Sequence, residues 1–184
     1  TTVADIKANG GGVNLAKETD KFLESTNGVA AFIGGLTPEE WKQYEGKTLT
    51  FSVTIEWKNW QTYGSNRVGW ELAFHVGGQT IWDNDKSPHL WINNQADGSS
   101  GKKRISTTIT VPENIDDAIT GQTAYIQTHG DYFKISDLMV EEGTVAHTYS
   151  PAPSDLQNQF TQTKESIDGI NTTINDPKTG LNAT

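Results

Sequence analysis

Apolar and polar residues alternate along three long stretches of this chain. Between residues 49 and 57, Leu, Phe, Val, Ile and Trp occupy every second position, and the positions between them are Thr, Ser or Glu. Residues 68–76 and 105–111 repeat this period of two. Such alternation is typical of β-strands with one buried face, so the pattern predicts three strands. Trp57 and Trp70 fall on the apolar side and are predicted to lie in the core.

Shorter apolar runs occupy much of the remaining sequence up to residue 150. They predict further strands at residues 13–16, 27–35, 124–128 and 133–140, separated by clusters of Gly, Asn, Asp and Pro. Many strands with such turns favour an all-β antiparallel sandwich over alternating strands and helices. One short helix is predicted at Thr37-Pro38-Glu39-Glu40, which has the residues of a capping box.

The pattern changes after Pro151 and Pro153. Six residues then recur at intervals of four and three, which is the spacing of a coiled-coil seam. Isoleucine at both kinds of core position favours three strands, so a homotrimer is one expectation and a single helix that folds back on the sandwich is the other. The Asp176–Gly180 segment (DPKTG) is predicted to end the helix. The seam residues are Leu156, Phe160, Thr163, Ile167, Ile170 and Ile174.

The end of the β-rich region resembles a known family. The apolar run 138–140 is followed by EEGTVAHTYSPAPSD at residues 141–155. This ending resembles that of carbohydrate-binding modules in tail proteins of phages that infect Gram-positive bacteria. Residues 12–15 (GVNL), 46–55 (GKTLTFSVTI) and 101–112 (GKKRISTTITVP) are also similar to that family. The resemblance implies a jelly-roll β-sandwich that binds saccharide without catalysis, in a virion tail tip or fibre.

These patterns divide the chain into three parts. Residues 1–11 are predicted to be a linker, residues 12–153 a jelly-roll carbohydrate-binding module, and residues 154–184 a helical stalk with a linker to a next domain. The partner that the resemblance implies is a cell-wall or surface polysaccharide of a Gram-positive host.

Composition excludes several other functions. The net charge of -9 among 184 residues opposes binding to nucleic acid or to an anionic membrane, because both need a basic surface. There is no cysteine, so disulfides and thiolate metal sites are excluded. No apolar run is long enough to insert into a membrane. No cofactor is expected, and a structural calcium ion is left open because its carbonyl ligands cannot be read from sequence.

Aromatic residues outside the predicted core indicate a saccharide site. Trp82 follows Ile81, and Trp91 lies between two aliphatic residues, so both indoles are predicted to point away from the core. Trp60 and Tyr63 lie in a polar segment without alternation. Aromatic faces pack on the C–H groups of sugars, whereas Asp, Asn, Gln and His bind their hydroxyls. The candidate ligand-binding residues are Trp60, Tyr63, Trp82, Asp83, His89, Trp91, Asn93, Tyr125, Gln127, His129 and Tyr132.

Three alternatives stay open. Some of these aromatic residues could instead cover a sandwich edge or fill loops. The chain could be a structural spacer, which would lack an exposed aromatic cluster. A polysaccharide-degrading enzyme would need two converging carboxylates, for which Asp83 with Asp85 or Glu141 with Glu142 are candidates. Adjacent acids in a turn are more often solvated, and no catalytic motif is present, so the sequence favours a protein that is not an enzyme.

Overall fold

The computed structural model describes residues 12–174, with the backbone alone at residues 27, 163 and 165–174. The chain divides into two compact units between Ala152 and Pro153. Within the described residues, the first unit contains nine strands and the short helix α1 with a following 3₁₀ turn, and the second contains the helix α2. The strands are β1 (Leu23–Asn27), β2 (Ala30–Ala31), β3 (Thr48–Lys58), β4 (Arg67–Val76), β5 (Gln79–Ile81), β6 (His89–Asn93), β7 (Gly101–Thr110), β8 (Ile115–Gln127) and β9 (His129–Glu142), and the helices are α1 (Pro38–Trp41), the 3₁₀ turn (Lys42–Tyr44) and α2 (Pro153–Ile174).

The nine strands form two antiparallel sheets. One sheet has the order β1-β9-β3-β7. In the other, the order is β2-β8-β4-β5, and β6 pairs with the same edge of β4 as β5 does. The first unit is therefore an all-β sandwich, as the sequence predicts.

The core lies between the sheets and follows the predicted alternation. In β3, Phe51 and Trp57 are buried, and in β4, Trp70 and Phe74 are fully buried. The rings of Phe51 and Trp70 stack with centroids 5.7 Å apart. Each such side chain contributes about 1.5–3 kcal/mol through removal from water. The placement of Trp57 and Trp70 in the core is confirmed.

The predicted strand at residues 13–16 is absent, and the physical reason is Asn14. This buried side chain accepts hydrogen bonds from the amides of Val140 and Ala16 and donates to the carbonyls of Leu138 and Ser150. Because the side chain supplies these bonds, the segment is held beside β9 without a ladder of its own. The prediction of a single strand over residues 27–35 is also wrong, since β1 ends at Asn27 and β2 has two residues.

The predicted capping box forms at α1. Thr37 accepts a hydrogen bond from the Glu40 amide, and the Glu40 carboxylate accepts one from the Thr37 amide. Trp41 is buried, packs edge-on against Tyr44, and donates its indole N–H to Gln122 of β8 at 2.9 Å. Both residues therefore hold this segment on the sandwich, as expected.

The helix α2 contains all six residues of the predicted seam. Leu156 and Phe160 are 50% and 64% exposed. No helix among residues 12–174 is both long and apolar enough to cross a membrane. The predicted linker at residues 1–11 and the predicted helix break at residues 176–180 lie outside the described residues.

Candidate functional site

The loop between β3 and β4 folds back against one end of the sandwich, and its residue Trp60 inserts into the core there. The indole is fully buried and packs edge-on against Trp57 and Phe133. Its N–H donates to the Asn66 side chain at 2.8 Å, and its backbone pairs with residues 98 and 99. The prediction that Trp60 faces solvent is wrong, because the loop brings it against core aromatics that the strand pattern alone does not connect to it.

Tyr63, in the same loop, is 58% exposed and stacks on His129. The ring centroids are 3.8 Å apart and the planes differ by 12°. Two backbone hydrogen bonds between Gln61 and His129 hold the loop against the start of β9, and the Thr128 hydroxyl donates to the Gln61 carbonyl. The loop is thus fixed at a position where Tyr63 presents an aromatic surface to solvent.

An open groove of about 470 Å³ lies beside this stack. Its walls are the β1–β2 turn at residues 28–30 and the loop at residues 63–65, and its floor is the end of β8. This volume falls within the usual range for small-ligand sites. The groove gathers four of the predicted site residues, namely Tyr63, Tyr125, Gln127 and His129.

A second group of predicted residues lies on the outer face of β4 and β6. His89 stacks parallel to Trp91 at 4.9 Å, and the Arg67 guanidinium lies 4.2 Å from the Trp91 ring centroid. Trp82 continues the group at 5.9 Å from His89 and is 42% exposed. Trp82 and Trp91 therefore point away from the core, as predicted, but only Trp82 offers a large solvent-facing surface.

Arg67 connects the two groups, although it is not among the site residues predicted from the sequence. Its Nε donates to the Gln127 side chain at 2.9 Å, and its guanidinium also lies 5.7 Å from the Tyr125 ring centroid. Tyr125 is on the outer face, as its parity predicts, but it is only 5% exposed because of this neighbourhood. Arg67 is in register with Asn93 and Gln127, two positions from the aromatic pair, and the sequence carries no signal of this pairing between strands.

The other predicted residues lie apart from the groove. Tyr132 belongs to β9 in the other sheet, where its hydroxyl donates to Glu24 at 2.7 Å and Lys58 lies over its ring. Residues 130–132 are part of β9. Asp83 is in an exposed turn near Lys86, and Asn93 is exposed at the end of β6. The structure does not bring these three residues together.

The carboxylates proposed for a glycosidase do not face the groove. Glu141 is buried on the opposite sheet and accepts hydrogen bonds from the backbone and ring of His147. None of the described residues that line the groove is an aspartate or a glutamate. Within the described part of the chain, no cluster of three His, Asp or Glu side chains could hold a metal ion.

His89 gives this face a pH-dependent contribution to stability. Burial lowers the pKa of His89 below its ordinary value of 6.5, the charge of Glu71 opposes this shift, and Arg67 adds to it. The unfolded chain therefore takes up the proton at a higher pH than the folded chain. The stabilising contribution is present above pH 6.5 and is lost as the pH falls through the lower, folded pKa.

We therefore expect the melting temperature to fall more steeply below about pH 6.5 in the natural chain than in a His89→Phe variant. The other three histidines are common to both proteins, so the difference between the two curves isolates His89. Thermal unfolding between about pH 5 and pH 8 measures it. Parallel curves would contradict the assignment.

Comparison with known proteins gives no sequence family. No family model matches the chain, and no curated protein matches it. Among solved structures, the chain is similar to the tripod from the baseplate of bacteriophage Tuc2009, with a TM-score of 0.52 and 17% identity over 78% of this chain. The match spans 60% of the length of that chain.

Two carbohydrate-binding modules are more distant in structure. A family 16 module has a TM-score of 0.40 and 8% identity, over 68% of this chain and 82% of the module. The family 22 module of Clostridium thermocellum Xyn10B has a TM-score of 0.38 and 17% identity, over 69% and 84%. Both scores are too low to establish a shared fold. The comparisons thus show that this chain shares its fold with part of a phage baseplate tripod.

Proposed function

We propose that this chain is a non-catalytic carbohydrate-binding module whose site is the groove beside Tyr63 and His129. The observation that carries the proposal is the exposed Tyr63–His129 stack at the edge of a groove of about 470 Å³. One face of Tyr63 is occupied by His129, and the exposed remainder can pack on the C–H face of a sugar ring. Gln127 and Ser65 line the same groove and can bind hydroxyl groups.

The ligand proposed is neutral or weakly charged and binds with modest affinity at each site. A shallow groove desolvates few groups, and sugar hydroxyls lose nearly as much on leaving water as they regain. The absence of carboxylates from the described lining of the groove supports a binding role over glycoside hydrolysis, which needs an acid and a base on either side of the bond.

The parent protein we propose is a phage tail protein that binds cell-wall polysaccharide of a Gram-positive host, in the tail tip or fibre of the virion. The shared fold with a baseplate tripod and the resemblance of residues 141–155 to tail modules support this setting. The strand order of the two sheets supports a jelly roll. The division proposed is a linker at residues 1–11, the module at residues 12–153 and a stalk at residues 154–184, and it rests on the sequence pattern. The exposed Leu156 and Phe160 support trimerisation through α2.

A Tyr63→Ala variant is expected to bind isolated Gram-positive cell walls about tenfold more weakly at a single site, because losing one aromatic contact costs about 1.4 kcal/mol. The matched control is Tyr132→Ala, which removes the same side chain from the other sheet. Fluorescently labelled proteins and washed cell walls provide the measurement, with thermal unfolding to confirm that both variants fold. If the two variants bind alike and as well as the natural chain, the groove is not the site and a spacer role is the better account.

A further inference from the structure

The outer face of the five-stranded sheet has a glycine at its centre. Gly69 of β4 is in register with Trp91 on one side and Tyr125 on the other. A Cβ atom at Gly69 would lie 2.2 Å from the Leu90 carbonyl oxygen and 2.6 Å from Cδ1 of Trp91. The glycine therefore allows the indole to lean over β4 toward Tyr125, which places two polar aromatic side chains over the same backbone position.

Both polar atoms of this pair are buried and unsatisfied. Among the described residues, neither Nε1 of Trp91 nor the hydroxyl of Tyr125 has a partner in good hydrogen-bond geometry. Trp91 and Glu71 are nevertheless close enough to the Tyr125 hydroxyl to influence its pKa. Buried polar groups are nearly always paired, and leaving one unpaired costs about 1–3 kcal/mol. Two such groups side by side on an outer face, rather than in the core, point to a partner from outside the chain.

The neighbouring charge defines what that partner can be. Burial, and after it the charge of Glu71, raises the pKa of Tyr125, so the hydroxyl stays protonated and available as a donor. Glu71 is the next outward residue of β4 after Gly69 and supplies an acceptor beside the two donors. Because Glu71 is negatively charged, a ligand carboxylate or phosphate at this position would be repelled.

Arg67 covers the pair and connects it to the groove. Its guanidinium lies over the rings of Trp91 and Tyr125, and it is tied to Gln127, which lines the groove together with Tyr125. Arginine is a long side chain with several rotatable bonds, so it can move aside at the cost of two cation–π contacts and the hydrogen bond to Gln127. Its movement would extend the groove to the two unsatisfied donors.

We infer that Trp91, Tyr125 and Glu71 form a subsite, under Arg67, for the N-acetylamino group of a saccharide. The acetamido carbonyl has two lone pairs that match the indole N–H and the phenol O–H, and its N–H matches the Glu71 carboxylate. Its methyl group suits the apolar surfaces of the two rings. A plain hydroxyl could pair with all three groups only if they converged on its single oxygen, and it would bring no methyl group to the two rings. This inference rests on the proposed saccharide-binding function.

The test compares three disaccharides with the same β-1,4 linkage by titration calorimetry of the full chain. These are N,N′-diacetylchitobiose, its de-acetylated form and cellobiose. The acetylated sugar is expected to bind at least about tenfold more tightly than the other two. An ammonium group offers no acceptor to the two buried donors, and a hydroxyl lacks both the methyl group and the separate carbonyl and N–H of the acetamido group. Trp91→Phe and Tyr125→Phe keep the rings but remove one donor each, and each is expected to reduce this preference about tenfold. Arg67→Ala is expected to strengthen binding of the acetylated sugar about two- to fivefold.

Each result decides a different point. Equal binding of the three sugars, or an unchanged preference in both Phe variants, would overturn the subsite while leaving the groove as a saccharide site. Weaker binding by Arg67→Ala would overturn the role given to that side chain as a cover. Binding to cell walls with no binding to the acetylated disaccharide also overturns the inference. Failure to bind any sugar or cell wall overturns the proposed function itself.

Discussion

Replacing Trp60 with alanine is expected to lower the free energy of unfolding by about 3–5 kcal/mol, which is the usual cost of deleting a fully buried large aromatic side chain. The indole fills the end of the sandwich between Trp57 and Phe133, and its N–H is paired with Asn66. Its removal would leave a cavity and would release the loop that carries Tyr63. Chemical denaturation monitored by circular dichroism measures the effect.

Trp82→Ala is the matched control for this prediction. It removes the same side chain from a position that is 42% exposed, and its expected cost is within about 1 kcal/mol. Trp60→Phe provides a second comparison, since it keeps an aromatic ring in the cavity and loses the hydrogen bond to Asn66. If Trp60→Ala is no more destabilising than Trp82→Ala, Trp60 does not close the end of the core.

The contrast between Trp60 and Trp82 shows which burial can be predicted from the sequence and which cannot. Where alternation is long, as in β3 and β4, it identifies the buried face, and it places Trp57 and Trp70 correctly. It says nothing about a loop, because a loop has no fixed period from which burial can be read. The burial of Trp60 depends on a non-local contact with Phe133, more than 70 positions away in the sequence.

The alternation along a strand predicts on which face a side chain lies, but it does not predict how exposed that side chain is. The sequence places Tyr125 on the outer face of its strand, which is correct, but Arg67 of the neighbouring strand β4 lies over its ring. Tyr132 shows that closeness in the sequence does not predict a shared site. It belongs to β9 together with His129, but the two residues are an odd number of positions apart, so their side chains lie on opposite faces of the strand and do not meet in one site.

The double substitution Leu156→Ser with Phe160→Ser is expected to reduce the apparent affinity for cell walls by about 10² to 10⁴-fold. In the proposed trimer, three weak sites are joined, and the second and third binding events take place at a high effective concentration. Both side chains are at least half exposed in a single chain. Their replacement should therefore separate the copies without destabilising the sandwich, and the affinity of one groove for a soluble disaccharide should not change.

Two measurements together check this prediction. Analytical ultracentrifugation should show the natural chain at three times the mass of the double variant, and cell-wall binding should fall in parallel. Gln157→Ser is the matched control, because it lies on α2 outside the seam and should change neither quantity. A natural chain that is already monomeric would contradict the trimer. A monomeric variant that still binds cell walls as tightly as the natural chain would instead show that each groove is strong enough alone, and the modest single-site affinity proposed above would be wrong.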